Sequence, residues 1–237
     1  MLTAIRRGLK RGALPPDQAS MLRARMEQHP RHLIPARSRL PHAQQVDLFV
    51  RNVEKEFGSV TRVPDMDAVP GAVADYLAAQ NLPGSVIMAP HPELQAIPWS
   101  ARPLLNIREG RAQSSDAVSV QHGFAGIAET GTLMLPSAPE RPVTLNLLAD
   151  TEIAVLRASA IVGAYEEGWD RLRAETGGMP RNIMFITGPS RSADIEQTLE
   201  LGAHGPRQLH IVLVEDDTVE VSHQGVSREP PATGMER

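Results

Sequence analysis

The sequence predicts an α/β fold whose sheet is at least partly parallel. Three observations carry that reading. Two segments with apolar residues at helical spacing lie before residue 81, eight short apolar runs alternate with turn residues after residue 84, and a strand, a helix and a strand follow one another over 182–214. That last succession reads as a crossover unit, which joins parallel strands. With 237 residues, 41% of them hydrophobic, the chain has apolar side chains enough for one large or two small cores.

Residues 1–41 come first and read as a basic arm. They hold nine Arg or Lys side chains against Asp17 and Glu27, a net +7 that leaves −11 on the rest of a chain of net −4. Such an arm suits an acidic surface, whether of its own body or of a partner. It has no aromatic side chain for base stacking and no recognised reading motif, so nucleic acid is not its expected partner.

Over 44–57, Val46, Phe49, Val50, Val53 and Phe57 fall on one helix face, and Gly58 ends the helix. Over 69–80, Val73, Tyr76 and Leu77 repeat the pattern before Asn81 and Pro83 stop it. Strands are expected at 85–89, 103–107, 117–120, 132–135, 143–148, 153–156, 182–187 and 209–214. Several are apolar on consecutive residues, as in strands covered on both faces. Helices are expected at 158–175, through Ile161, Val162, Tyr165, Trp169 and Leu172, and at 194–201, through Ile195 and Leu199. The organisation is therefore an arm over 1–41, an α/β domain over 42–226 and a flexible tail over 227–237.

Two absences narrow the chemistry. With no cysteine, the chain can form no disulfide, thiolate nucleophile, zinc ribbon or cysteine-ligated iron–sulfur cluster. Its only lysines, Lys10 and Lys55, sit in no GxxxxGK[ST] loop, which disfavours Walker-type phosphate chemistry and Schiff-base catalysis. The longest apolar stretch, 153–165, is cut by Arg157, so no membrane span is expected. Pro15, Pro16 and Asp17 stand where a secretory signal would be apolar, and the expected location is the cytoplasm.

Chemistry-bearing residues gather in three stretches. In 123–135, Glu129 stands between Gly126 and Gly131, followed by Thr130 and Thr132. There it could take a proton, hold a substrate hydroxyl or attack an acyl group, or it could satisfy amides in a tight turn. In 186–194, Gly188, Ser190, Arg191 and Ser192 lie between an expected strand and an expected helix. That context makes an anion site with Arg191 as a fork, the plainer reading being helix capping by Asp194 or Ser192 with Gln197. In 201–206, Gly202 reads as a helix C-cap, and His204 is either an acid–base group or a donor to end-of-helix carbonyls. His91 and His122 are weaker candidates. No His pair has HExxH-like spacing, and no metal site is expected.

The segments Gly126-Ile127-Ala128-Glu129-Thr130-Gly131-Thr132-Leu133, 187–196 (TGPSRSADIE) and Leu201-Gly202-Ala203-His204-Gly205-Pro206 together resemble the LUD-domain family, in particular its lactate-utilization C branch. The likeness runs from about residue 46 to 214. The family pattern often has Thr where this chain has Ser192, which keeps the hydroxyl. The resemblance implies a three-layer α/β sandwich like that of ribose-5-phosphate isomerase, glucosamine-6-phosphate deaminase and the CoA-transferases. It also implies a place in a three-protein system that oxidises L-lactate to pyruvate, whose cysteine-rich and iron–sulfur partners carry the clusters. On this reading the chain is a non-redox subunit that binds a small carboxylate. The substrate would touch Thr130, Gly131, Thr132, Gly188, Ser190, Arg191 and Ser192, with Glu129 and His204 as catalytic candidates. CoA-transferase-like acyl transfer on Glu129 and a purely assembly or regulatory module are the alternatives. Glu129 and the 190–192 loop are expected at one end of the sheet, beyond the carboxyl ends of its strands.

Overall fold

The computed structural model describes residues 2–10, 12–31, 33–193 and 199–216. Its helices are α1 (Leu2–Gly8), α2 (Pro16–Gln28), α3 (His42–Lys55), α4 (Val69–Ala79), α5 (Pro92–Gln95) and α6 (Tyr165–Glu175). Its strands are β1 (Ser59–Val63), β2 (Ser85–Met88), β3 (Asn106–Glu109), β4 (Val118–His122), β5 (Ala125–Ile127), β6 (Thr132–Pro136), β7 (Thr151–Arg157), β8 (Ile161–Val162), β9 (Ile183–Thr187), β10 (Arg191–Ala193), β11 (Leu199–Leu201) and β12 (Gln208–Val214).

Six strands form a parallel sheet in the order β1-β12-β7-β4-β2-β3. Four more form a second sheet, β8-β5-β6-β9, in which β6 runs antiparallel to both β5 and β9. Both faces of the larger sheet are covered, which is why its strands are apolar on consecutive residues. Ile153 and Val155 of β7 face a core shared with Val69, Val73 and Leu77 of α4. Ala154 and Leu156 face the opposite core, shared with Phe49 and Val53 of α3 and Leu133 and Leu135 of β6. The second sheet and α3 thus make one outer layer, and Leu172 of α6 packs on Phe124, Ala125 and Met134 beyond it. No helix among the described residues is long and apolar enough to cross a membrane.

Several expected elements need correction. β9 and β12 do not form a crossover unit, because β9 joins the second sheet; the parallel partner that precedes β12 is β7, reached through α6. The expected helix over 194–201 is replaced at its end by β11, which pairs antiparallel with β10, while 194–198 lie outside the described residues. The hydrogen bonds of this hairpin satisfy backbone that one apolar pair four residues apart could not hold in a helix. Gly202, expected as a helix C-cap, lies instead in the bend after β11, with φ +82°. The 143–148 run is a short 3-10 turn, Val143–Asn146. Over 158–175, a 3-10 turn and β8 precede the helix, which starts only at Tyr165. The expected tail over 227–237 lies outside the described residues.

Residues of the arm touch the body at defined points. Nothing in α2 is buried, but Ser38 is, and its carbonyl accepts from Gln45 Nε2 at 3.4 Å. Arg31 pairs with Asp170 of α6, and Arg37 Nη2 meets Glu129 Oε1 at 2.8 Å.

The end of α3 is a tight seat for a neighbouring loop. Phe57 N–H donates to the Glu54 carbonyl and Gly58 N–H to the Val53 carbonyl, a Schellman closure in which Phe57 itself takes the left-handed conformation, φ +69°. Phe57 is therefore not on the buried face of the helix but 69% exposed. Gly131, at φ +67°, lies against this same turn, and a Cβ there would stand 2.5 Å from the Val53 backbone nitrogen. Gly131→Ala combines a left-handed penalty of roughly 1–2 kcal/mol with a backbone overlap, so a stability loss of about 3–4 kcal/mol is expected in urea unfolding. A loss under about 1 kcal/mol would show that the turn and α3 can separate freely.

Candidate functional site

The turn between β5 and β6 carries Glu129, Thr130 and Gly131. Asn52 of α3 donates from Nδ2 to the carbonyls of Ala128 (2.8 Å) and Glu129 (3.1 Å), fixing the turn on the helix. The Glu129 carboxylate, 12% exposed, is held by Arg37 rather than by Arg191. Thr130 and Thr132 hydroxyls stand 2.6 Å apart, both 3.0 Å from the Tyr165 hydroxyl, and Thr132 reaches Thr187 Oγ1 at 2.6 Å. This chain of hydroxyls crosses from the first stretch to the second, because Thr132 and Thr187 are directly opposed in the β6–β9 register.

Gly188 follows β9 with φ +68°, and a Cβ there would lie 2.1 Å from the Glu56 carbonyl oxygen, so this loop too rests on the end of α3. Ser190 N–H donates to the Pro206 carbonyl (2.7 Å), Gly202 N–H to the Ser190 carbonyl (3.0 Å) and His204 N–H to Ser190 Oγ (3.3 Å), so the second and third stretches are laced together. Arg191 lies over the Phe57 ring, 4.0 Å from its centroid, with Nη2 3.5 Å from Glu56 Oε2. Where a helix N-terminus is expected behind Arg191, the described residues 191–193 form β10, and 194–198 lie outside the described residues. Ser192 is in β10, paired with Glu200, and a strand offers no fan of free N–H groups. Asp194 and Gln197, the capping candidates, lie outside the described residues.

Thr187, Gly188, Ser190, Arg191 and His204 line one cavity of about 280 Å³, and its inner wall holds Asn146 and Glu152. The cavity opens at the amino ends of β7 and β12 and at the carboxyl end of β9. The expectation of a site beyond the carboxyl ends of the main sheet is therefore corrected, the reason being that β9 belongs to the smaller sheet.

Glu152 is the residue that sequence reasoning missed. It is the second residue of β7, fully buried, and neither carboxyl oxygen has a hydrogen-bond partner among the described residues. Burial pushes its pKa up to about 8, so it carries its proton at neutral pH. Asn146 is fixed nearby, its Oδ1 accepting from Gln121 Nε2 at 2.7 Å. A neutral carboxyl can donate one hydrogen bond and accept another, and this one lies just beneath the cavity wall, its oxygens closed to solvent. The available signal was weak, a carboxylate at the head of the apolar strand run 153–156. The cavity thus joins a cation and the hydroxyl-bearing Thr187 and Ser190 in its lining, with a protonated carboxyl buried behind its wall.

Comparison with known proteins places these features in context. The LUD domain family matches residues 46–214. An uncharacterized protein of Neisseria meningitidis, NMB1437, is 39% identical over 105 residues, 43% of this chain and 45% of that one. Lactate utilization protein C of Bacillus subtilis is 39% identical over 93 residues, 38% of this chain and 39% of that one. The uncharacterized protein YkgG of Escherichia coli is 34% identical over 128 residues, 52% and 54%. The chain thus spans about half the length of these curated relatives, or less. A DUF162 family protein from Deinococcus radiodurans shares the fold, with a TM-score of 0.57 at 22% identity over 74% of this chain and 99% of that one.

The Glu152 proton has a thermodynamic consequence. Between the ordinary carboxyl value of 4.5 and about 8, the folded chain holds a proton that the unfolded chain has released. Stability therefore falls as pH rises through that window, and the loss is complete above it. Glu152→Gln keeps the shape and cannot ionise, so relative to the unsubstituted chain it should gain about 2–4 kcal/mol between pH 5 and pH 8.5 in urea unfolding. A difference that does not change with pH would contradict a buried, protonated Glu152.

Proposed function

The chain belongs to the LUD domain family, and on that premise we propose that it is a subunit without a redox centre in a system that oxidises L-lactate to pyruvate, binding a small carboxylate between its two sheets. The observation that supports this reading most is the convergence of two family-like stretches, 187–191 and 204–206, on a cavity with a protonated carboxyl buried behind its wall. Relatives that carry the name lactate utilization protein C supply the substrate class. At about 280 Å³ the cavity lies at the small end of ligand sites, which suits a three-carbon acid better than a nucleotide.

Arg191 takes the ligand carboxylate as a two-pronged donor, with Phe57 beneath it and Glu56 to one side limiting its directions. Glu152 donates its proton in a hydrogen bond to the 2-oxygen, the hydroxyl of lactate or the carbonyl of pyruvate, and the Thr187 and Ser190 hydroxyls complete the shell. His204 stands exposed at the rim, next to Gly205 and Pro206 of the same lining. A chain with no cysteine cannot hold a thiolate-ligated cluster, so the electrons leave to iron–sulfur and cysteine-rich partner proteins, and the assembly works in the cytoplasm. The acyl-transfer alternative needs a free Glu129, and Arg37 occupies that carboxylate.

Calorimetric titration with L-lactate and pyruvate tests the binding step. Arg191→Lys keeps the charge and loses the fork, so both ligands should bind more weakly by about 1–3 kcal/mol. Unchanged affinity would remove Arg191 from the site. Reconstitution tests the subunit role: partner proteins that oxidise lactate at full rate without this chain would refute it.

A further inference from the structure

A second polar cluster lies at the opposite end of the large sheet. From β2 the chain passes to the edge strand β3, whereas from β4 it passes to β7 on the other side, although β2 and β4 are neighbours. This reversal separates the connections that leave two adjacent carboxyl ends and opens a crevice there, the place where open parallel sheets collect ligands. His91, just past β2, and His122, the last residue of β4, stand at this crevice with their rings stacked 3.6 Å apart.

Arg141, from the segment after β6, binds both rings. Its Nη2 lies 3.0 Å from His91 Nε2, and its Nε donates to His122 Nδ1 at 3.4 Å. A guanidinium has only donors, so His122 Nδ1 accepts and that ring is neutral; His91 is neutral as well, its Nδ1 accepting from the Glu93 N–H at 3.3 Å. Burial, then His91 and Arg141, push His122 down to about 2, and burial and Arg141 lower His91 as well. Glu93 faces His122 at 3.6 Å but is already paired with Arg157 at 2.6 Å. The carboxylate paired with Arg141 is Glu140, at 3.5 Å.

Arg141 also forms the inner wall of a cleft of about 530 Å³, with Arg111 from the segment after β3 and Arg181 from the segment before β9. Arg111 and Arg181 are exposed and form no ion pair among the described residues. Thr144, in the same lining, has a buried hydroxyl with no hydrogen-bond partner among those residues. Three guanidinium groups from distant segments therefore converge on one cleft in a chain whose net charge is −4. One carboxylate would leave most of that charge unmatched. A phosphate group brings close to two negative charges and three acceptor oxygens, which match forked donors.

We propose that the cleft beside His91, His122 and Arg141 is a second ligand site, which takes a small organic phosphate or diphosphate through Arg111, Arg141 and Arg181. The neutral His122 imidazole aims Arg141 without adding charge, and the His91 ring stacks on it. The site is independent of the Glu152 cavity.

Titration of the full chain with pyrophosphate and with inorganic phosphate at low ionic strength tests the proposal. Pyrophosphate should bind one to one, more tightly than phosphate, with affinity falling as salt rises. The double variant Arg111→Gln/Arg181→Gln changes only exposed side chains, so its melting temperature should hold while pyrophosphate affinity drops about tenfold or more. Its L-lactate affinity should be unchanged, which separates this site from the one proposed above. The absence of saturable binding, an unweakened double variant, or an equal loss in the control Arg6→Gln/Arg7→Gln would each overturn it.

Discussion

The site depends on how closely two loops approach the final turn of α3. Gly131 and Gly188, both in the left-handed region, bring backbone to within a distance that no side chain would allow, and Asn52 then ties the first loop through two carbonyls. With both loops on one helix end, Thr132 and Thr187 meet, and the second sheet is held at a fixed offset from the first. The left-handed Phe57 belongs to the same arrangement, since it closes the helix and turns its ring under Arg191. Strain of this kind persists where the surroundings over-determine it, and the surroundings here are Phe49 and Val53 in the core between the sheets.

The offset between the sheets leaves a cavity, and Glu152 is buried behind its wall without a hydrogen-bond partner among the described residues. A carboxyl in that position is costly to ionise, so the fold keeps it neutral, and a neutral acid is an adaptable donor in a small space. At the other end of the sheet the logic is inverted. There the buried groups are neutral bases, and the charge sits on arginines that open to solvent.

Much of the fold was legible in local pattern. The helices at 44–57 and 69–80 and the strand runs at 85–89, 132–135, 182–187 and 209–214 all correspond to elements, because buried faces impose periodicity that a sequence displays. Which sheet a strand joins is not a local property, and so the local pattern presents β9 and β12 as one unit. In 194–201 the pair Ile195 and Leu199 fits a helix, whereas Leu199-Glu200-Leu201 alternates as a strand does, and only pairing with β10 decides between them. The two glycine-flanked loops of the site were legible as loops. Glu152 was not, because a charged residue ordinarily bounds an apolar run, and its burial arises from the packing of two sheets whose contact no local window contains.

The account stands or falls on what occupies the cavity between the sheets. A crystal structure of the full chain soaked with pyruvate measures this directly. It should show the ligand in the cavity, its carboxylate about 3 Å from the Arg191 guanidinium and its carbonyl oxygen facing Glu152. A cavity still empty at saturating pyruvate, or pyruvate bound elsewhere with Arg191 and Glu152 untouched, would contradict it.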